Sequence, residues 1–213
     1  MANIQKGRAD LLLSWLKGGS RPRSRIIEPH IKRPDILELI QQQERGAWLD
    51  LSDLSEWVLM DSYSELVDRK FTHRAEGWSF AACYGDIRHS TDFKSQFEFE
   101  DFLPLNKIEE TYKELFQTLF ARFPSVKILF FHFPVAFESR ELYRERHAVI
   151  ENSIHSLAQL WPDRLFSFSV PDSEVERPGL YRGIMEGHNP YHFGPGTSAF
   201  LAKGAKAVID HGR

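Results

Sequence analysis

Val126-Lys127-Ile128-Leu129-Phe130-Phe131, followed by His132-Phe133-Pro134, is the stretch of sequence on which the fold depends. Such a largely apolar run is typical of a strand buried on both faces of a sheet. Apolar residues recur at helical spacing before this run, from Asn106 to Phe120, and after it, from Glu138 to Leu160, where Leu142 and Leu160 are placed on the inner face. Helices on both sides of a buried strand predict a parallel sheet that is covered by helices.

Two further segments complete the predicted sheet. The run Trp57-Val58-Leu59-Met60 ends in a polar loop, and Arg164 to Val170 forms another strand before a terminal helix from Gly196 to Ile209. The predicted fold is therefore α/β, a three-layer sandwich with a mostly parallel sheet flanked by helices. Right-handed crossovers would gather four loops at the carboxyl edge of the sheet, where such folds bind ligands. These loops span residues 61–64, 132–138, 171–180 and 188–192.

The chain before the first predicted strand is expected to be helical. Asp10 to Lys17 forms a short helix that ends at a pair of glycines, and a second helix runs from Pro34 to about Arg45. We therefore predict an N-terminal helical extension over 1–46 and an α/β domain over 47–213. Residues 86–104 are polar and aromatic without periodicity, and they predict a long surface insertion.

The composition excludes several classes of protein. The 213 residues carry a formal net charge of −3, which offers no basic excess for a general nucleic-acid binder. Cys83 is the single cysteine, so a cysteine-based zinc site is excluded, and we expect a reducing, cytoplasmic location. No apolar run approaches the roughly 18 residues of a membrane span, so no membrane span is predicted.

The segment His188-Asn189-Pro190-Tyr191-His192 lies on a loop whose conformation is restricted by proline and by the following glycines. Imidazole titrates near neutral pH, so His192 is a candidate general base. The side-chain oxygen of Asn189 would orient the ring, although it lacks the negative charge that stabilises an imidazolium. The structural alternative is a loop histidine that hydrogen-bonds a backbone carbonyl.

The order of elements and this loop resemble the C-terminal part of the SGNH (GDSL-like) hydrolase superfamily, over roughly residues 50–209. In that superfamily the last strand is followed by Asp-x-x-His and a helix entered through glycine. Asn189-Pro190-Tyr191-His192 matches this pattern with Asn in place of Asp. The segment from Glu65 to Phe71 and the Tyr191-His192 pair are similar to divergent members linked to capsule and exopolysaccharide biosynthesis. The resemblance implies an SGNH/flavodoxin-like sandwich.

The residues Asp61-Ser62 can be aligned with that superfamily in two ways. In the first alignment, Met60-Asp61-Ser62 is a variant of the Gly-Asp-Ser nucleophile block, and Ser62 is the nucleophile. In the second, which fits the spacing to His192 better, this strand is the central one, and the strand with the nucleophile is missing or unrecognisable in residues 1–30. Ser62-x-x-Glu65 is also a capping-box pattern, so the alternative role of Ser62 is to cap the following helix.

The remaining candidate residues lie at the same predicted edge. Asp61 is placed with the catalytic residues, where it would orient either a substrate hydroxyl or a backbone turn. His132, at the end of its strand, would either contact substrate or satisfy a backbone group. The resemblance adds Tyr191 as a second substrate-binding residue.

No metal site is predicted. His147 and His155 lie eight residues apart on one helix and are assigned to its surface and flanks. Pro190 prevents His188 and His192 from facing one ligand on a helix. Cys83 lies in an apolar stretch and is expected to be a buried, inert thiol.

The resemblance implies an acyl-ester hydrolase or acyltransferase, with an acetylated carbohydrate as the expected substrate. Exposed aromatic side chains such as Trp78, Tyr84 and Phe93 would stack on sugar rings. Hydrolysis requires no cofactor, whereas a transferase would need an acyl donor such as a coenzyme A thioester. The alternative is a non-catalytic binding or assembly module on the same fold, completed by a protein partner or a homo-oligomer. The missing Gly-Asp-Ser block favours that alternative.

Overall fold

The computed structural model describes residues 7–46, 56–177, 180–181, 184–185, 191 and 193–211. The chain forms two compact units. The first contains Met1–Leu54 and Tyr63–Pro124, and the second contains Ser55–Ser62 and Ser125–Arg213. Residues 7–46, which belong to the predicted helical extension over 1–46, lie in the same unit as residues 63–124.

The helices of the first unit are α1 (Ala9–Leu16), α2 (Ser24–Ile27), α3 (Pro34–Arg45), α4 (Tyr63–Val67), α5 (Thr91–Gln96) and α6 (Ile108–Arg122). Helices α1, α3 and α6 confirm the three helices predicted for this part of the chain. Pro34 suits the first turn of α3 because its φ is fixed, and Gly46 ends that helix with a left-handed φ of 58°. The hydroxyl of Ser90 begins α5 by accepting a hydrogen bond of 3.1 Å from the Phe93 amide.

An antiparallel sheet forms the centre of the first unit. It contains β2 (Asp68–His73), β3 (Ser79–Cys83) and β4 (Phe97–Glu100), in the order β3-β2-β4. Phe71 pairs with Phe80 on one side and with Phe99 on the other. The buried core around this sheet consists of Ile27, Ile31, Ile36, Ile40, Phe71, Trp78, Phe80, Ala82, Ile87, Phe93 and Phe97.

The prediction of an irregular surface insertion over residues 86–104 was wrong. This segment contains α5 and β4, and the side chains of Ile87, Phe93 and Phe97 are buried in the core. Trp78 is also buried, so it is not available to stack on a ligand, whereas Tyr84 is 49% exposed. The aromatic residues of this region therefore serve mainly to build the core, because adjacent rings fill the space between the sheet and the helices.

The second unit is built on a parallel sheet of β1 (Trp57–Asp61), β5 (Lys127–His132) and β6 (Leu165–Ser169). The strands lie in the order β1-β5-β6, with Met60 opposite Phe130 and Phe130 opposite Ser167. The three predicted parallel strands are thereby confirmed. Ile128, Leu129 and Phe130 are fully buried, as expected for the central strand of a covered sheet.

Helices cover both faces of the parallel sheet. Helix α7 (Glu141–Leu160) packs on the face that carries His132, since the rings of His132 and His155 lie 5.5 Å apart. Successive strand residues point to opposite faces. Phe168, next to Ser167, therefore faces the other side, where its ring contacts Phe200 of α8 (Pro195–His211). The second unit is an α/β arrangement of three layers.

Two details of the second unit differ from prediction. Helix α7 begins at Glu141 instead of Glu138, and Leu142 and Leu160, expected on its inner face, are 49% and 58% exposed. A short antiparallel pair, β7 (Leu180–Tyr181) and β8 (Ile184–Met185), precedes α8.

Because β1, β5 and β6 run parallel, the segments that follow Asp61, His132 and Ser169 lie at one edge of the sheet.

Candidate active site

Ser62 lies directly after β1, at the carboxyl edge of the parallel sheet. Its backbone amide donates to the Phe131 carbonyl oxygen at 3.2 Å, and its hydroxyl oxygen accepts a hydrogen bond of 2.9 Å from the Phe133 amide. The residue has no exposed surface. Ser62 therefore joins the end of β1 to the segment that leaves β5.

Asp61 and Ser62 have opposite exposures. Asp61 is the last residue of β1, pairs with Phe131 across the sheet and is exposed. This difference follows from the alternation of side chains along a strand. Of the two residues, Asp61 is the one whose side chain reaches solvent at this edge.

Glu138 holds a buried negative charge in the connection between β5 and α7. Its side chain is 1% exposed, and Arg140 contacts both carboxylate oxygens, with Nε at 2.8 Å from Oε1 and Nη2 at 2.5 Å from Oε2. The Arg140 amide donates a third hydrogen bond of 2.9 Å to Oε1. These hydrogen bonds from Arg140 outweigh the effect of burial and lower the pKa of Glu138 to about 2. Glu138 is therefore ionised at neutral pH.

Tyr191 donates a hydrogen bond of 2.9 Å from its hydroxyl to Oε2 of Glu138. Tyr191 is buried, and burial, together with the neighbouring Glu138 carboxylate, raises the pKa of its phenol. The hydroxyl therefore remains a donor at neutral pH. The ring of Tyr191 also lies 6.0 Å from the ring of Phe133, centroid to centroid.

Phe133 is the point at which the predicted site residues meet. Its amide contacts Ser62, and its ring contacts Tyr191. The ring of Phe193, which follows position 192 in the sequence, lies 5.4 Å from the Phe133 ring, centroid to centroid. The predicted base His192 and its predicted orienting residue Asn189 lie outside the described residues. Ser62 and both sequence neighbours of His192 thus contact one residue.

The segment before α8 is fixed by Glu176. The amide of Gly194 donates to the Glu176 carbonyl oxygen at 2.8 Å, and the amide of Gly196 donates to its Oε2 at 2.7 Å. A negative charge at the first turn of a helix is stabilised by the helix dipole. A Cβ atom at position 194 would lie 2.9 Å from the Arg177 carbonyl oxygen, so the backbone there leaves room only for glycine, whereas at position 196 a Cβ would meet only the end of the Glu176 side chain.

His132 lies away from solvent, at the end of β5 and beneath α7. It is 1% exposed, and its Nε2 is 2.8 Å from the hydroxyl oxygen of Ser167 on β6. Burial lowers the pKa of His132 to about 4, an effect that the neighbouring His155 and His147 reinforce and Glu151 opposes. His132 is thus neutral at pH 7, and its Nε2 bonds a side-chain hydroxyl rather than the backbone group named as an alternative to substrate contact.

Sequence reasoning missed Glu138 and the pattern His147-x-x-x-Glu151-x-x-x-His155. The second signal was available, because residues four apart lie on one face of a helix. Glu138 gave no such signal, since its partners Arg140 and Tyr191 are brought together only by the fold.

Two kinds of feature, a metal-binding group of side chains and a membrane-spanning helix, are absent from the described residues. In these ranges, no group of three or more His, Cys, Asp or Glu side chains is arranged to hold a metal ion. Over the same ranges, no helix combines the length and the hydropathy that a membrane crossing requires.

Comparisons with known protein families, curated proteins and solved structures found no match to this chain.

Proposed function

We propose that the second unit is an acyl-ester hydrolase or acyltransferase that acts on an acetylated carbohydrate. The observation that carries the proposal is the convergence on Phe133 of Ser62, Tyr191 and Phe193. Ser62 follows a parallel strand at the edge where α/β sheets bind ligands. Tyr191 and Phe193 flank His192 in sequence. A serine and a histidine are the two groups that acyl transfer through a covalent intermediate needs.

In the proposed reaction, Ser62 attacks the acyl carbonyl while His192 accepts the hydroxyl proton. The bond from the acyl carbon to the leaving group then breaks, His192 gives the proton to the departing sugar alkoxide in a hydrolase or to the donor's thiolate in a transferase, and an acyl-serine remains. Water in a hydrolase, or an acceptor hydroxyl in a transferase, attacks this ester with His192 as the base, and the acyl–Oγ bond breaks as His192 returns the proton to Ser62. Asn189 would orient the imidazole, and Asp61, which is exposed at the same edge, would hold a substrate hydroxyl.

The Glu138–Arg140 pair supports this arrangement. It presents a fixed buried carboxylate to Tyr191, which precedes position 192 in the sequence. Glu176 binds the amides of Gly194 and Gly196, which follow that position. Tyr191 is thus an anchor of the segment, where the sequence predicted a substrate-binding residue. The hydrolase needs no cofactor; a transferase would use an acyl donor such as a coenzyme A thioester.

The experiment compares turnover of p-nitrophenyl acetate and of a peracetylated hexose by the wild type, Ser62→Ala and His192→Ala. Ser173→Ala and His211→Ala are the matched controls, because both residues are exposed. The proposal expects a loss of about a hundredfold or more in both site variants and none in the controls. Equal turnover by the wild type and both site variants, or no turnover by the wild type of either acetyl ester, contradicts it.

A second candidate function is a non-catalytic binding or assembly module. The full burial of Ser62, together with its acceptance of the Phe133 amide hydrogen, favours this candidate. In the described ranges β1 pairs only with β5, and Leu59 on β1 is 50% exposed. An exposed strand edge is a template for pairing with another chain.

The assembly candidate predicts that substitution on β1 changes the oligomeric state. Light scattering after size exclusion would compare the wild type with Leu59→Lys, and Leu142→Lys serves as the control because Leu142 is 49% exposed on α7. A wild-type oligomer that only Leu59→Lys dissociates supports assembly through β1. A wild-type monomer, or an oligomer that neither variant changes, contradicts self-assembly through β1.

A further inference from the structure

A cluster of titratable side chains lies along the contact between α7 and the parallel sheet, with His132 buried beneath the helix and His155 exposed at the rim. We call it the histidine cluster, and it consists of His132, His147, Glu151, His155, Ser167 and Ser169. The ring centroids of His132 and His155 are 5.5 Å apart, and those of His132 and His147 are 6.3 Å apart. The cluster therefore links β5 and β6 to two turns of α7.

The hydrogen bonds of the cluster suit a neutral ring at His132. His132 Nε2 is 2.8 Å from the hydroxyl oxygen of Ser167, which can act as either donor or acceptor. Ser169 donates a hydrogen bond of 2.5 Å to Oε1 of Glu151, and His147 Nε2 lies 3.7 Å from Oε2 of the same carboxylate. Although burial opposes ionisation of Glu151, the Ser169 hydroxyl and the three histidines lower its pKa.

Protonation would place positive charge where the protein offers little to balance it. The Nδ1 atoms of His132 and His147 are buried and have no hydrogen-bond partner within the described part of the chain. The titratable groups that act on His132 are Glu151, His155 and His147, and those that act on His147 are Glu151 and Asp172. Among the residues that the structure describes, Glu151 is thus the one carboxylate that acts on both rings, and a second proton would repel the first.

We propose that the histidine cluster is an acid-sensitive latch that holds α7 on β5 and β6 at neutral pH and releases it when His132 takes up a proton. The released state exposes His132 to water, because an imidazolium with one unpartnered N–H is costly to keep buried. The turns of α7 between His147 and His155 must then move from the sheet. This property is independent of the proposed acyl chemistry.

The direction of the pH dependence follows from proton linkage. The folded state holds His132 with a lowered pKa of about 4, whereas the unfolded chain binds a proton near the ordinary value of 6.5. The released or unfolded state therefore binds more protons in acid. The stabilisation is complete above pH 6.5 and is lost as the pH falls from 6.5 towards 4. Between pH 7 and pH 5, His132 alone would shift the equilibrium about 20-fold towards release.

The test measures the unfolding equilibrium and the hydrogen exchange of α7 amides at pH 7 and pH 5, after correction for intrinsic exchange. It uses the wild type, His132→Gln, whose amide can still bond Ser167, and His211→Gln, an exposed control. Between pH 7 and pH 5, we expect the folding equilibrium constants of the wild type and of His211→Gln to fall by a factor about 20-fold larger than that of His132→Gln. We also expect amides between His147 and His155 to exchange faster in acid.

If His132→Gln does not fold, carbon-13 labelled histidine in the wild type gives the answer by NMR. The latch predicts that the His132 ring stays neutral until the α7 amides lose protection. A His132 ring that titrates near pH 6.5 while α7 stays protected would overturn the proposal. The same pH dependence in the wild type and in a folded His132→Gln would also overturn it.

Discussion

Tyr191 and Glu138 are separated by 53 residues and are joined by a buried hydrogen bond of 2.9 Å between the phenol oxygen and Oε2. Arg140 fixes the carboxylate from the other side, so that Glu138 accepts from a guanidinium and a phenol at once. This contact ties the segment before α8 to the connection between β5 and α7. The candidate site therefore depends on a polar interaction in addition to the packing around Phe133.

Tyr191→Phe should destabilise the protein by about 1.5–3 kcal/mol, since it removes a hydrogen bond to a buried charged group. Urea unfolding at pH 7 measures this change. Tyr84→Phe is the matched control, because Tyr84 is 49% exposed, and its effect should stay within about 0.5 kcal/mol. Equal stability of the two variants would show that the Tyr191 hydroxyl contributes nothing.

Ser62→Ala should cost about 1–3 kcal/mol of folding stability, because the Phe133 amide loses its acceptor. The exposed residue Ser173 provides a control substitution, Ser173→Ala, that should change stability little. Thermal unfolding followed by circular dichroism compares the two. If Ser62→Ala is as stable as the wild type, Ser62 does not fix the end of β1 as described.

Glu65→Gln should change how the stability of the first unit depends on pH. Glu65 is 1% exposed, and burial raises its pKa to about 7, although the Ala9 amide donates to Oε1 at 2.6 Å. The folded state therefore binds the Glu65 proton more tightly than the unfolded chain. Stability from this group is complete below pH 4.5 and is lost as the pH rises through 7, by up to about 3 kcal/mol.

Denaturant unfolding at pH 5 and pH 8 would reveal this difference. Glu65→Gln should remove most of the loss between these pH values, and Glu38→Gln, at an exposed position, should leave it unchanged. If Glu65→Gln loses as much stability between pH 5 and pH 8 as the wild type does, Glu65 is not the group responsible for the pH dependence.

Gly204→Ala should destabilise the protein even though alanine is the better helix former by about 1 kcal/mol. A Cβ atom at position 204 would overlap the ring of Phe168, which lies beneath α8. Overpacking of this kind costs typically about 1–3 kcal/mol. Gly85→Ala, where a Cβ meets nothing within 4 Å, is the control. A rise in thermal stability for Gly204→Ala would contradict the packing of α8 on β6.

The parallel sheet was predictable because its signals are local. The apolar run that became β5 and the periodicity of α6 specify their conformations within a few residues. The predicted ends of α3 were also close to the observed ones, since proline suits the first turn of a helix and glycine its end. Leu142 and Leu160 were misassigned because they lie near the two ends of α7, where helical spacing continues although the buried face does not.

The antiparallel sheet was missed for a physical reason and for an avoidable one. Strand β2 contains charged residues, and its burial depends on partners distant in sequence. By contrast, Phe97-Glu98-Phe99-Glu100 alternates apolar and charged residues, which is the pattern of a half-buried strand. Burial of Trp78 and Phe93 could not be read from composition, since aromatic residues near charged ones also occur on binding surfaces.

The site was predictable only in part. Ser62 and Tyr191 were proposed as site residues from short motifs, and both contact Phe133 in the structure. Their hydrogen-bond partners were not predictable, because Glu138 and the Phe133 amide reach them through the tertiary fold. The histidine cluster likewise needs β5, β6 and α7 in contact before its spacing acquires meaning.

Covalent capture of the nucleophile tests the proposed chemistry most directly. The protein is incubated with a fluorophosphonate, which reacts with activated serines, and the modified peptide is located by mass spectrometry. The account predicts a single adduct on Ser62, formed at least about a hundredfold more slowly in His192→Ala and at the wild-type rate in His211→Ala. No adduct on Ser62, or one that forms equally fast in His192→Ala, would contradict the proposed acyl chemistry.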